Sequence, residues 1–254
     1  MFDALVHIID PRFELVENEG FLPDYFTIAD CRARMAGFHV TGGAVVAGSY
    51  QGTNPACIAA ALDELGPGWV GVAQLDPDAS DDDIAEMDRM GVRAVRFNLK
   101  RGASDIALLT HQALRANEIA GWHAELYVDG SMLASLEPVL AKLPAVSIDH
   151  LGLSSEAVPY LLDLVDRGAR VKTTGFGRLD PEFDVVDTMR RLYAVNPEAL
   201  MFGSDLPGTR AERPFEPGDI DLIAGAVGDD LPLVLESNAR SYYRVAAPAP
   251  QPKL

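Results

Sequence analysis

Cysteine is almost missing from this chain. Cys31 and Cys57 are its two thiols, too few for a disulfide-stapled scaffold and at no spacing that makes a metal or redox motif. Positive charge is scarce as well: 21 Lys and Arg stand against 38 Asp and Glu, a net charge of −17. Such a field repels nucleic acid and anionic membrane surfaces, so neither is expected as a partner, and a small anionic substrate needs a local cationic pocket. No apolar run is long enough to span a bilayer, and the first residues lack the charged start and apolar stretch of a secretory leader. The expectation is a cytoplasmic protein with reduced thiols. Missing too are a phosphate-binding glycine loop, a serine nucleophile elbow and a Cys–His signature. The run "DASDDD" lacks the glycine and closing glutamate of a calcium loop. As a helix start, its acids meet the positive end of the dipole.

What is present is regular. The 254 residues are 48% hydrophobic, enough to bury a large core. Short apolar or β-branched runs stand at 5–9, 43–47, 69–73, 94–99, 123–127, 146–148, 171–173 and 200–202. Between them lie amphipathic stretches such as "NPACIAAALDEL" and "PEFDVVDTMRRLYAV", several opening on Asp, Ser or Asn and closing on Gly. Eight strands, each followed by a helix, predict an α/β fold of the (β/α)8 TIM-barrel type. One domain over residues 1–245 is expected, with a disordered Pro/Ala-rich tail at 246–254. A doubly wound open sheet is the rival. In a barrel the active site lies at the C-terminal ends of the strands. The unusual polar segments do follow the runs: "GSYQGTN", "QLDPD", "RFNLKRG", "YVDGS", "DHLG", "GFGRLD" and "GSDLPGTR".

Individual residues admit more than one role. His7 interrupts the buried run "ALVHIIDP" and reads as a metal ligand, a catalytic donor or a core ring with its hydrogen bonds met. His150 reads as a donor to a carbonyl oxygen on which charge builds, or as a satisfied core ring. Asp149, one residue earlier on the strand, should point to the other side and is expected to be structural. Asp205 reads as a base at an apolar-walled mouth, its pKa raised toward the working range, or as a cap on the turn before Pro207.

The motifs "DALVHIIDP", "GVRAVRFNLKRG", "GWHAELYVDG", "IDHLG", "GFGRLD", "MFGSDLP" and "NARSYY" run in this order from Asp3 to about Tyr243. Together they resemble the amidohydrolase superfamily, in particular its branch of 2-pyrone-4,6-dicarboxylate lactonase and sugar-lactone hydrolases. The resemblance implies a lactonase-like hydrolase without a metal. In it Asp205 is the general base on water, and His150 and His7 polarise the lactone carbonyl. It places substrate carboxylates on Arg96, Arg101 and Arg178, with Lys100 as a substitute for one of them. Ser49 and Tyr127 are implied as further substrate contacts, with Tyr25 and Gln51 behind them.

Two departures stand out. The first motif usually carries two histidines one residue apart, and the first of them is Leu5 here. An arginine three residues after His150 is Leu153. Zinc needs about three ligands and an open position. The alternative metal set is His7, His150, Asp205 and Glu125, for a metal-dependent decarboxylase or hydrolase of the same superfamily. A barrel that binds a small molecule without chemistry is the third reading. The expected partner is a small anionic or polyhydroxylated substrate, with room left for a homo-oligomer. His123, His39 and His111 are expected to be structural.

Overall fold

The computed structural model describes residues 1–102 and 106–247. Eight parallel strands pair in sequence order. They are β1 (Phe2–Val6), β2 (Gly42–Val46), β3 (Trp69–Ala73), β4 (Val92–Asn98), β5 (His123–Tyr127), β6 (Val146–Ile148), β7 (Arg170–Thr173) and β8 (Leu200–Phe202). The connecting helices are α1 (Ile28–Arg34), α2 (Ala56–Leu65), α3 (Asp81–Met90), α4 (Ile106–Ala120), α5 (Leu133–Leu140), α6 (Val158–Asp166), α7 (Val185–Val195) and α8 (Gly218–Val227). A further helix, α9 (Asn238–Tyr243), follows a π turn at Leu233–Ser237. The chain is a single-domain (β/α)8 TIM barrel. Residues 248–254 of the anticipated tail lie outside the described residues. Among the described residues no helix is long and apolar enough to cross a membrane.

Local chemistry sets the elements. Ser80 accepts from the Asp83 amide while the Asp83 side chain returns to Ser80, so "DASDDD" starts α3 as a capping box. Gly91 ends the same helix in the left-handed region. The strands are buried nearly throughout, because one face meets the helices and the other the barrel interior. Two apolar groups result. The larger lies between strands and helices, and a smaller one around Phe2, Leu5, Val46, Val72 and Met201 fills the lower bore.

Closure joins β1 to the segment just after β8. Asp205 donates its amide to Leu5 O at 2.8 Å, and His7 donates to Leu206 O at 2.8 Å. This stitch sets His7 and Asp205 side by side. Asp3 reinforces it, its carboxylate accepting from Ser204 N at 2.8 Å, Ser204 Oγ at 2.6 Å and Leu5 N at 3.2 Å. Burial nonetheless pushes the Asp3 carboxyl up to about 6, the Ser204 and Leu5 hydrogen bonds opposing it. An acid whose folded pKa exceeds its unfolded value loses stabilising power as pH rises between the two. Asp3→Ala strands three donors and is expected to cost about 2–4 kcal/mol at pH 5, or about 5–10 °C in Tm. The deficit should shrink as pH rises through about 6, since the wild type alone loses stability across that window. Calorimetry at pH 5 and pH 8 checks both.

Candidate active site

The C-terminal mouth of the barrel holds a polar cavity lined by His7, Ser49, Arg96, Arg101, Tyr127, His150, Arg178 and Asp205. The eight residues expected for catalysis and substrate binding are therefore brought together. Tyr50, Asn98, Thr209, Arg210 and Phe21 line it as well. Glu125, the fourth residue of the alternative metal set, does not. Nor does Lys100, which pairs with Asp129. Tyr25 is exposed, and Gln51 braces the backbone by donating to Ile8 O at 2.8 Å and accepting from Gly48 N at 2.8 Å.

Asp205 is at the centre. Its Oδ2 accepts from Arg178 Nε at 2.6 Å. Its Oδ1 is buried, accepts no hydrogen bond among the described residues, and lies 3.7 Å from His7 Nε2 and 3.9 Å from His150 Nε2. The expected upward pKa shift is reversed. Burial would raise the carboxyl, but the Arg178 guanidinium, with His150 and His7, outweighs it and holds Asp205 well below the usual carboxylate range. The apolar walls anticipated from the sequence carry a cation, and that cation decides the sign.

The two imidazoles differ. His7 follows β1, and its Nδ1 is 2.7 Å from Val46 O. A carbonyl only accepts, so Nδ1 carries the proton and a neutral ring presents a lone pair at Nε2. His150 Nδ1 is 2.6 Å from Thr174 Oγ1, a hydroxyl that can donate or accept. With a carboxylate near Nε2, the favourable tautomer has Thr174 donating to Nδ1 and Nε2–H facing Asp205. Burial pushes His150 down to about 4 against the pull of Asp205 and Asp149, so the ring is neutral at pH 7. Gly175, at φ +61°, leaves room for this ring: a Cβ there would stand 2.4 Å from His150 Nδ1.

Strand alternation misplaces Asp149. β6 ends at Ile148, and His150 sits at φ +52°. This left-handed turn brings the ring back to the mouth beside Asp149 instead of opposite it. Asp205, at φ +57°, is turned in the same way. Non-glycine residues in this region carry strain that persists where surrounding packing enforces it.

Beneath the cavity lies a buried charge box that the sequence did not reveal. Arg96 Nη1 is 2.5 Å from Glu125 Oε1 and 2.8 Å from Asp149 Oδ2. Lys172 Nζ is 2.5 Å from Glu125 Oε2 and 3.4 Å from Asp149 Oδ1. Tyr243 adds a donor to Glu125 Oε2 at 2.9 Å. Arg96 thus forms the floor with its charge already matched. His123 packs against Tyr242 and Tyr243 as a core ring, and burial lowers its pKa well below the usual value.

With Leu5 in the apolar bore and Glu125 in the box, no group of three or more His, Cys, Asp or Glu among the described residues has metal-holding geometry. Arg178 already neutralises the carboxylate that would remain.

A profile of the family described as Amidohydrolase matches residues 2–245. The chain belongs to the amidohydrolase family. It is 26% identical to the 2-pyrone-4,6-dicarboxylate hydrolase of Comamonas testosteroni, over 81% of this chain and 76% of that one. Its fold matches a protein of Agrobacterium tumefaciens at TM-score 0.84 and 21% identity, covering 96% of each chain. A structure from Acinetobacter baumannii, named a probable 2-pyrone-4,6-dicarboxylic acid hydrolase and solved with citric acid bound, matches at TM-score 0.81 and 21% identity. It covers 96% of this chain and 98% of that one. This amidohydrolase is a hydrolase that resembles the 2-pyrone-4,6-dicarboxylate enzymes.

Of the lining residues that sequence reasoning missed, Arg210 had the clearest signal, since it closes the quoted segment "GSDLPGTR". Thr174 follows β7 directly. Only knowledge of the tautomer problem at His150 would have singled it out.

Proposed function

We propose that this amidohydrolase opens the ring of a lactone carrying anionic or polyhydroxylated substituents, with Asp205 as general base and no metal ion. The observation that carries the reading is the unpartnered Asp205 Oδ1 facing two imidazole Nε2 atoms inside an arginine-lined cavity. The Comamonas testosteroni relative's name supports the substrate class.

Water held between Asp205 Oδ1 and His7 Nε2 donates one hydrogen to each, which aims its lone pair at the lactone carbonyl carbon. The new C–O bond forms as Oδ1 takes the proton. His150 Nε2–H faces the carbonyl oxygen and stabilises the charge that builds there. The ring C–O bond then breaks, and the leaving oxygen takes the proton back from Asp205. The product is a hydroxy-carboxylate, and one proton is released, so low pH favours ring closure. His7 is assigned to the water and not to the carbonyl, because Val46 fixes its tautomer.

Leu153 is buried, so the guanidinium that the resemblance puts there is replaced by core packing. Arg210 enters the cavity from the loop after β8, stacked on Phe21 at 4.3 Å. The second polar group of the substrate is therefore placed on the Arg210 side, a departure from the arrangement that the resemblance implies for 2-pyrone-4,6-dicarboxylate.

A panel of pyrone, muconate-type and sugar lactones, followed by proton release, tests the reading. Turnover of at least one is expected, undiminished after dialysis against EDTA. Near-stoichiometric zinc or manganese, lost together with activity, would assign the chain to the metal-dependent reading. Thermal stabilisation by lactones without product would assign it to a binding barrel.

A further inference from the structure

The base is tied up in the free protein. Arg178 Nε lies 2.6 Å from Asp205 Oδ2, and among the described residues this is the ion pair Arg178 makes. Of the three other guanidiniums of the lining, two are engaged elsewhere. Arg96 is matched by Glu125 and Asp149, and Arg210 by Glu19 at 3.2 Å and the Asn18 carbonyl. The free space among the lining side chains is about 30 Å³, in a mouth open to solvent on one side, whereas small-molecule sites run to roughly 300–1,000 Å³. A lactone ring therefore enters only if a lining side chain moves. Arg178 both fills the mouth and holds the carboxylate that must act.

We propose that Arg178 is a latch on the base, holding Asp205 until a carboxylate carried by the substrate takes the guanidinium over, which frees Asp205 and widens the cavity in one exchange. The proposal rests on the lactone-hydrolase reading. The exchange trades one guanidinium–carboxylate pair for another and leaves the buried Asp205 as an uncompensated anion, the state in which it takes a proton from water most readily. Water in the idle site meets a base whose charge is already compensated. A lactone with a carboxylate unlocks the site, and a neutral lactone of the same shape leaves the latch closed. The groups facing Asp205 are His7 after β1, Tyr50 after β2, Arg96 on β4, Tyr127 on β5, and His150 and Arg178 after β6 and β7. Of these, Arg178 is the one a substrate can draw away, because the Val46 carbonyl and Thr174 hydroxyl hold the two rings and the charge box holds Arg96.

The test compares pH profiles for 2-pyrone-4,6-dicarboxylate and its uncharged dicarboxamide. For the dicarboxylate, the acid limb of kcat is expected at least one pH unit above that of kcat/KM, because kcat reports the released carboxyl. For the dicarboxamide the two limbs should coincide. In Arg178→Gln the limbs should coincide for both probes, and the kcat preference for the dicarboxylate should fall at least tenfold. Arg178→Lys keeps the charge and should fall between. Coincident limbs for the dicarboxylate in the wild type, or an unchanged preference in Arg178→Gln, would overturn the latch. If neither probe is opened, the exchange is read without turnover. The carboxyl 13C signal missing from Asp205→Asn is titrated with and without saturating citrate. A rise of one pH unit or more supports the latch, and an unmoved midpoint overturns it, whatever becomes of the lactonase reading.

Discussion

Asp205→Asn is expected to lower kcat for lactone opening roughly 10³-fold while tightening the binding of carboxylate ligands. The two effects share one cause. Asparagine keeps the shape and still accepts from Arg178 through its amide oxygen, but it cannot take a proton from water. It also removes the negative charge that competes with a ligand for the guanidinium, 2.6 Å away in the wild type. Steady-state kinetics and calorimetric titration with citrate separate the losses: a fall in kcat with weaker citrate binding would mean a collapsed cavity and not a missing base. The pH dependence supplies a check on His150. Its folded pKa is lowered to about 4, so kcat/KM is expected to hold from pH 7 downward and to fail as pH drops through about 4, when the ring gains a proton. Asp205, held lower still, does not set that limb in the free enzyme.

The barrel was legible because its signal repeats. Eight apolar runs alternating with amphipathic stretches leave few topologies, and the polar residues after each run mark one rim. The boundaries slipped where a run continues past the last paired residue. The run at 5–9 is strand only through Val6, because at His7 the backbone leaves β2 to pair with Leu206. The site was legible as a set of residues, since strand order alone delivers His7, His150, Arg178 and Asp205 to one mouth. Its electrostatics were not. The pKa of Asp205 depends on which cation comes within 3 Å, and sequence spacing does not carry that distance. Asp149 was misread for a related reason: alternation holds only while φ stays in the β region, and His150 leaves it. Lys172 escaped notice because it sits inside the apolar run at 171–173, where a lone cation has no visible partner until the barrel closes Glu125 and Asp149 around it.

Lys172→Met carries the largest expected effect on stability, about 3–5 kcal/mol, or about 10–15 °C in Tm. The lysine and both of its carboxylate partners are fully buried. In the intact box, two cations face two anions. Removing Lys172 leaves Glu125 and Asp149 sharing Arg96, an uncompensated charge with no water to solvate it. Burial alone would raise the Asp149 carboxyl, but Arg96 and Lys172 hold it below 3.8, so in the wild type its stabilising share is present at neutral pH and lost as pH falls below that value. In the variant the sign reverses: one carboxyl is driven to keep its proton, so the deficit should be larger at pH 8 than at pH 5. Urea denaturation at the two values measures this. A second substitution tests whether charge, and not packing, is at stake. Glu125→Gln in the Lys172→Met background restores neutrality with nearly the same volume and is expected to recover more than half of the loss. If the double variant were as unstable as the single one, the lysine stem would be filling space, and the floor of the cavity would owe its rigidity to the apolar bore around Leu5 and Met201 instead of to the four buried charges.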